Sequence, residues 1–306
     1  MNSSPPSGIE LYANALVMGA AMELYLTPKP GLVDLADSGS HPDLTLALME
    51  RSLHFLSCYM EELIRSLSAG ETFAVQSEIG LSFEKAMLSS LGTNTHKGYI
   101  FLSGLLLVAR WRSGTACEPR LRAGIASLAC DFFMGRQQIS TNGGRARARY
   151  RAGGIVREAM EGLPSLFEEA APAYLEAFER SGSRRTASYA MMGRLMQCVE
   201  DTTTLHRCGT PGMARIRRDG RLIERITTAG DDCTPFLQKI NGEYIRMGLT
   251  MGGVADMMGL AYASLLASGQ LMPGYFCTVG RTDPGMFQGF IPGRHIQPDL
   301  PPRVNI

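Results

Sequence analysis

Apolar residues recur at three- and four-residue spacing through residues 9–26, 44–68, 77–91, 97–111, 121–135, 155–180, 186–200 and 236–269. That period is the pattern of helices with a buried face. No stretch alternates β-branched and polar residues between tight turns, so strands are not expected. The breaks fall at Pro28-Lys29-Pro30-Gly31, Gly39-Ser40-His41-Pro42, Gly92, Gly143-Gly144, Gly153-Gly154 and Gly209-Thr210-Pro211-Gly212, where helices should stop. From about Pro273 the chain turns rich in Pro and Gly and loses its period. Such a stretch fits an irregular arm over the body or over a neighbouring subunit, and a frayed tail is the alternative. The pattern predicts an all-α protein: one multi-helix domain over 1–270 with buried central helices, and a C-terminal extension over 271–306. An arm reaching a neighbour makes a homodimer part of the expectation.

Composition narrows the picture. Thirty Lys and Arg against 29 Asp and Glu give a net charge of +1, which speaks against a globally basic nucleic-acid binder. Charged residues are only 19% of the chain, while Gly (34) and Met (18) are plentiful, a mix suited to buried helices in close approach. Seven cysteines without a CxxC pair argue against a zinc ribbon or a disulfide scaffold and fit reduced thiols in a cytoplasm. The first residues carry no basic cluster ahead of the apolar stretch, unlike a signal peptide. The longest apolar segment, 248–269, holds Asp256 near its centre and reads as a buried helix, not a membrane span.

Polar, chemically capable residues interrupt the apolar helices in three places. In Thr93-Asn94-Thr95-His96-Lys97-Gly98, Asn94 or Thr95 can cap a buried helix. Free N–H groups, the helix dipole, His96 and Lys97 would then favour an anion such as phosphate, although an ordinary cap with a solvated lysine has the same sequence. In Glu200-Asp201-Thr202-Thr203-Thr204-Leu205-His206-Arg207, Thr202 and His206 share a helical face beside Asp201, an acid able to ligate Mg²⁺ or to act as a base. A polar helix end facing water is the plainer reading. The third is Asp256 within Gly252-Gly253-Val254-Ala255-Asp256, where an unpaired buried carboxylate would be costly, so the acid is functional, metal-bound or a cap for a neighbouring helix. Arg145, Arg147, Arg149 and Arg151 scatter around a helix axis and form no single groove-reading face.

Taken in order, these segments resemble a known family. Thr27-Pro28-Lys29-Pro30-Gly31-Leu32-Val33-Asp34 with Gly39-Ser40-His41-Pro42-Asp43 is similar to the opening signature of the triphosphoribosyl-dephospho-CoA synthase family, which serves the prosthetic groups of citrate lyase and malonate decarboxylase. Glu84-Lys85-Ala86-Met87 with Asn94-Thr95-His96-Lys97-Gly98 resembles its central motif, and Glu200-Asp201-Thr202 with Leu205-His206-Arg207, then Gly252-Gly253 with Ala255-Asp256, resemble its later ones. The order holds over about residues 10–268. Departures from the family pattern gather in the same segments: Thr93 precedes Asn94, Val156 stands where an arginine is usual, Thr203 follows Thr202, Cys208 sits in the HRGG turn and Met251 replaces a proline.

The resemblance implies an all-α transferase that moves the 5-triphosphoribosyl group of ATP onto the ribose 2′-hydroxyl of 3′-dephospho-CoA and releases adenine. It implies a triphosphate and nucleotide site drawn from Lys29, Asp34, His41, Asn94, Thr95, His96, Lys97, Arg157, His206 and Arg207. It also implies Mg²⁺ and base roles among Glu84, Asp201 and Asp256. ATP and dephospho-CoA or a related nucleotide are the partners it implies, with no nucleic acid and no membrane. A glycosyltransferase of the same fold with another acceptor, or a non-catalytic nucleotide-binding homologue, is compatible with the same residues.

Overall fold

The computed structural model describes residues 8–93, 95–114, 117–134 and 141–272. These residues form twelve α-helices and no strand, as the apolar period predicts. In chain order they are α1 (Gly8–Tyr25), α2 (Leu46–Ser68), α3 (Phe73–Leu91), α4 (Lys97–Ser113), α5 (Glu118–Phe133), α6 (Asn142–Tyr150), α7 (Gly154–Met160), α8 (Ala171–Ser181), α9 (Arg184–Cys198), α10 (Thr202–Ala229), α11 (Thr234–Met247) and α12 (Gly252–Ala267). A π-helical turn, Ser165–Ala170, leads into α8.

Helices that are apolar all round belong in the middle of a bundle, and those with one apolar stripe belong outside. The chain obeys this rule. α1, α4, α9 and α12 bury most of their surface, including Leu16, Leu107, Met191 and Leu260. α2, α8, α10 and α11 keep a polar face outward. The central pair is α1 against α12, with α2 and α4 beside α1, α5 on α4, and α9 carrying α8 and α10. A Cβ at Gly19 of α1 would sit 2.2 Å from the carbonyl oxygen of Gly259 in α12, so only glycine lets these backbones touch.

Short polar side chains start α2, α3, α6 and α9. Thr45, Thr72, Thr141 and Ser183 each accept a backbone N–H three residues on, satisfying a donor the helix cannot.

Two boundaries differ from the sequence pattern. The 236–269 segment is two helices, because Gly248 takes a left-handed conformation that ends α11. The 155–180 segment is interrupted after α7, where Gly162 and the fully buried Leu163 both have positive φ. At Gly209-Thr210-Pro211-Gly212 the helical backbone breaks where the sequence expects it to: Gly209 (φ 62°, ψ −161°) is non-helical, and α10 is two helical stretches joined at that kink. Pro211 falls in the first turn after that kink, where a missing N–H costs nothing. Among the described residues no helix is long and apolar enough to cross a membrane, and the six described cysteines are free thiols. Residues 273–306, which hold most of the predicted extension and Cys277, lie outside the described residues.

Candidate active site

The loop between α1 and α2 is shaped by its own side chains. Asp34 accepts hydrogen bonds from the backbone N–H of Lys29 (2.7 Å) and of Ala36 (2.7 Å), and Thr27 Oγ1 accepts from Leu35 N–H (3.1 Å). Ser40 Oγ donates to the Leu249 carbonyl (2.6 Å), and Gly31 N–H donates to Asn241 Oδ1 (2.9 Å), which fastens the loop to α11 and the turn before α12. His41 is thereby carried to Thr250, with Nε2 2.7 Å from its Oγ1. Burial, then the positive charge of Arg207, holds His41 below the usual imidazole range.

Under this loop the starts of α4 and α12 meet the end of α1. They enclose a solvent-open cavity of about 550 Å³ whose wall includes Glu23, His41, Thr95, His96, Tyr99 and Asp256. Glu23 stands one turn beyond Gly19, and Asp256 one turn before Gly259. The close α1–α12 crossing therefore sets two carboxyl groups on the same cavity. Lys29, 1% exposed, donates from Nζ to Glu23 Oε1 (2.5 Å) and to the Glu23 carbonyl (2.6 Å). Burial pushes the Glu23 carboxyl up, and Lys29 opposes it.

Asp256 has no such cation. Burial first, then the nearby Asp201 and Glu23 carboxylates, lifts its carboxyl well above the usual range. Gly98 is what lets it approach α4, since a Cβ there would lie 2.1 Å from Asp256 Oδ2.

Asp201 does something else. It is 1% exposed, and its Oδ1 accepts from Thr203 and Thr204 N–H (both 2.9 Å). Its Oδ2 accepts from Gly253 N–H (2.7 Å) and Val254 N–H (3.1 Å). One carboxylate caps both α10 and α12. Burial raises its proton affinity, but four backbone donors favour the anion. Of this pair of acids, Asp256 is the one driven further toward its protonated form.

The remaining residues divide. Glu84 faces a different, mainly apolar crevice and pairs with Lys97 (3.2 Å), a half-exposed cation at the start of α4. That start is capped by His96, without a side-chain cap bond, and not by Thr95; Asn94 lies outside the described residues. Arg157 pairs with Glu200 (3.0 Å), which also accepts the Gly153 N–H (2.6 Å). His206 and Arg207 are exposed on α10, with Arg207 donating to the Ser40 carbonyl (2.9 Å). Among the described residues no three His, Cys, Asp or Glu side chains group closely enough to hold a metal ion. The structure does not gather Glu84, Asp201 and Asp256 around one point, because Asp201 is saturated by N–H donors and Glu84 is held by Lys97. The acid that shares a cavity wall with Asp256 is Glu23.

A family model described as ATP:dephospho-CoA triphosphoribosyl transferase matches residues 9–272, which includes every element of this cavity. The chain belongs to the ATP:dephospho-CoA triphosphoribosyl transferase family. Similar proteins include the 2-(5''-triphosphoribosyl)-3'-dephosphocoenzyme-A synthase of Klebsiella pneumoniae, 29% identical over 88% of this chain and 95% of that protein. The synthase of the same name from Pectobacterium atrosepticum is 31% identical over 79% of this chain and 84% of its own length. A probable synthase of Stutzerimonas stutzeri is 30% identical over 90% and 96%. No solved structure matches. The family is one of transferases, and the cavity between α1, α4 and α12 is where this member combines two carboxyl groups, two imidazoles of lowered basicity and an opening to solvent.

Proposed function

We propose that the protein transfers the triphosphoribosyl group of ATP to the 2′-hydroxyl of 3′-dephospho-CoA and releases adenine. The observation that carries this reading is the family match over residues 9–272 together with two dissimilar carboxyl groups, Glu23 and Asp256, on one cavity. In such a transfer the C1′–N9 bond of ATP breaks and its electron pair leaves with adenine, while a bond forms between the acceptor oxygen and C1′. The ribose passes through an oxocarbenium-like state, which an anion beside it stabilises and an acid at the departing group assists. Two carboxyl groups in different environments divide these tasks. Asp256, whose proton burial and neighbouring carboxylates hold more tightly than usual, supplies the proton to the departing adenine. Glu23, paired with Lys29, presents the second carboxyl group to the ribose. Lys29 itself is consumed by that ion pair, so the triphosphate falls to exposed cations on adjoining segments, Lys97, Arg157 and Arg207, with His206 beside them.

The donor set does not fit a resident metal, and no step runs through one; Mg²⁺ belongs to this reading as a companion of the triphosphate, which keeps most of its own waters. The test is adenine release from ATP, followed by chromatography, with and without dephospho-CoA. Release that requires dephospho-CoA and yields its triphosphoribosyl adduct is expected. Asp256→Asn is expected to slow it about 10²–10⁴-fold, the usual value of a positioned proton donor. Release with another acceptor but not with dephospho-CoA overturns the assignment.

A further inference from the structure

Two hydroxyl oxygens flank His96 Nδ1. Ser52 is fully buried on α2, and its Oγ donates its single proton to the Met49 carbonyl at 2.6 Å. Its lone pairs are therefore what it offers to His96 Nδ1, 2.8 Å away. Thr95 Oγ1 directs its proton to Met87 Sδ (3.5 Å) and lies 3.0 Å from the same Nδ1. With both hydroxyl protons so directed, the two oxygens offer lone pairs to Nδ1, an arrangement that favours a ring hydrogen on that nitrogen. The ring is also neutral, since burial and then the charge of Lys29 hold His96 down to about 4. A neutral imidazole protonated at Nδ1 has a bare lone pair at Nε2. His96 is only 5% exposed, lines the cavity of Glu23 and Asp256, and receives no hydrogen bond at Nε2 from the described residues.

We propose that His96 Nε2 accepts the proton of the attacking 2′-hydroxyl, and that Ser52 is a positioning residue that fixes the tautomer presenting it. The inference rests on the triphosphoribosyl transfer above. The step balances within the site. The acceptor O–H proton passes to Nε2 as the O–C1′ bond forms, the C1′–N9 bond breaks, and adenine takes a proton from the Asp256 carboxyl. His96 then holds one extra proton and Asp256 lacks one, and transfer between them through water restores the resting state. Low basicity suits the role: the ring stays an acceptor throughout the neutral range, and the hydroxyl becomes acidic only as its oxygen bonds to the cationic sugar.

Two measurements test this. Nitrogen-15 NMR of the full-length protein is expected to show His96 Nδ1 bonded to hydrogen and Nε2 bare; hydrogen on Nε2 overturns the proposal whatever the variants do. In kinetics, His96→Gln is expected to lower kcat by about 10²–10⁴-fold, the range of general-base catalysis, with KM for ATP nearly unchanged. Ser52→Ala is expected to lower kcat about 10- to 100-fold, as for other groups that orient a functional imidazole, and to give a mixture of tautomers, both reversed by Ser52→Thr. An unchanged kcat in His96→Gln overturns the base role while leaving the transfer reading intact. Absence of adenine release by the wild type removes the transfer reading, and the base role with it, without touching the tautomer result.

Discussion

Asp201 accepts two backbone N–H groups from each of two helices, so its carboxylate is a joint between α10 and α12. An Asn at this position keeps the shape but can accept at only one of its two ends, and its amide N–H groups would face buried donors. Asp201→Asn is therefore expected to cost about 3 kcal/mol, within the range for losing hydrogen bonds to a charged group and stranding their donors. Urea unfolding followed by circular dichroism measures it, and a loss below about 0.5 kcal/mol, no more than an ordinary surface change, would contradict the joint. From sequence this acid reads as a metal ligand or base, because spacing along a chain cannot tell a carboxylate that faces a ligand from one that faces helix ends. The acid that shares a cavity wall with Asp256 was equally legible. Glu23 is a single carboxylate deep in the apolar part of α1, and the reasoning that singles out Asp256 in its apolar helix applies to it unchanged. Ser52 carries no such signal, since a serine in an amphipathic helix looks like many others until His96 is seen beside it.

At the scale of elements, the α1–α12 crossing holds the two acids in place. Gly→Ala inside a helix is normally worth about 0.5–1 kcal/mol of stability. At Gly19 the sign should reverse, because the new Cβ would lie 2.2 Å from the Gly259 carbonyl oxygen and 2.8 Å from the Ala263 nitrogen, neither of which can step aside. Gly19→Ala is expected to lose about 1–3 kcal/mol, the usual cost of overpacking, and to lower activity by parting Glu23 from Asp256. Gly242→Ala in α11 is the control: nothing lies within 4 Å of its Cβ, and the ordinary gain is expected. Paired thermal melts decide the matter, and a Gly19→Ala protein as stable as wild type would refute the tight crossing. The long apolar helices, α1, α2, α4, α9 and α12, were readable from their period because burial alone specifies them. α6 and most of α10 were not. Their polar, arginine-rich sequences hide the period, although Gly209 with Pro211 does mark the break inside α10.

For the molecule as a whole, the buried imidazoles and carboxyls pull stability in opposite directions as pH changes. His96 has its pKa lowered from 6.5 to about 4 in the folded protein, so between those values the unfolded chain binds a proton that the folded chain does not. Stability must fall as pH drops through that window, by up to about 3 kcal/mol from His96 alone at 1.36 kcal/mol per unit, and His41, also lowered, adds to the fall. Glu23 and Asp256 act with the other sign. Their raised values mean that the folded chain holds protons the unfolded chain has released, so they subtract stability as pH rises above the ordinary carboxylate range. Between pH 4 and 6.5 the two contributions oppose each other, and removing the histidine should expose the carboxyls. Unfolding free energies across this range are expected to fall less steeply toward acid in His96→Gln than in wild type, or to rise. Parallel curves would mean that His96 titrates in the folded protein much as it does in the unfolded chain, and that the cavity admits far more water than its walls suggest.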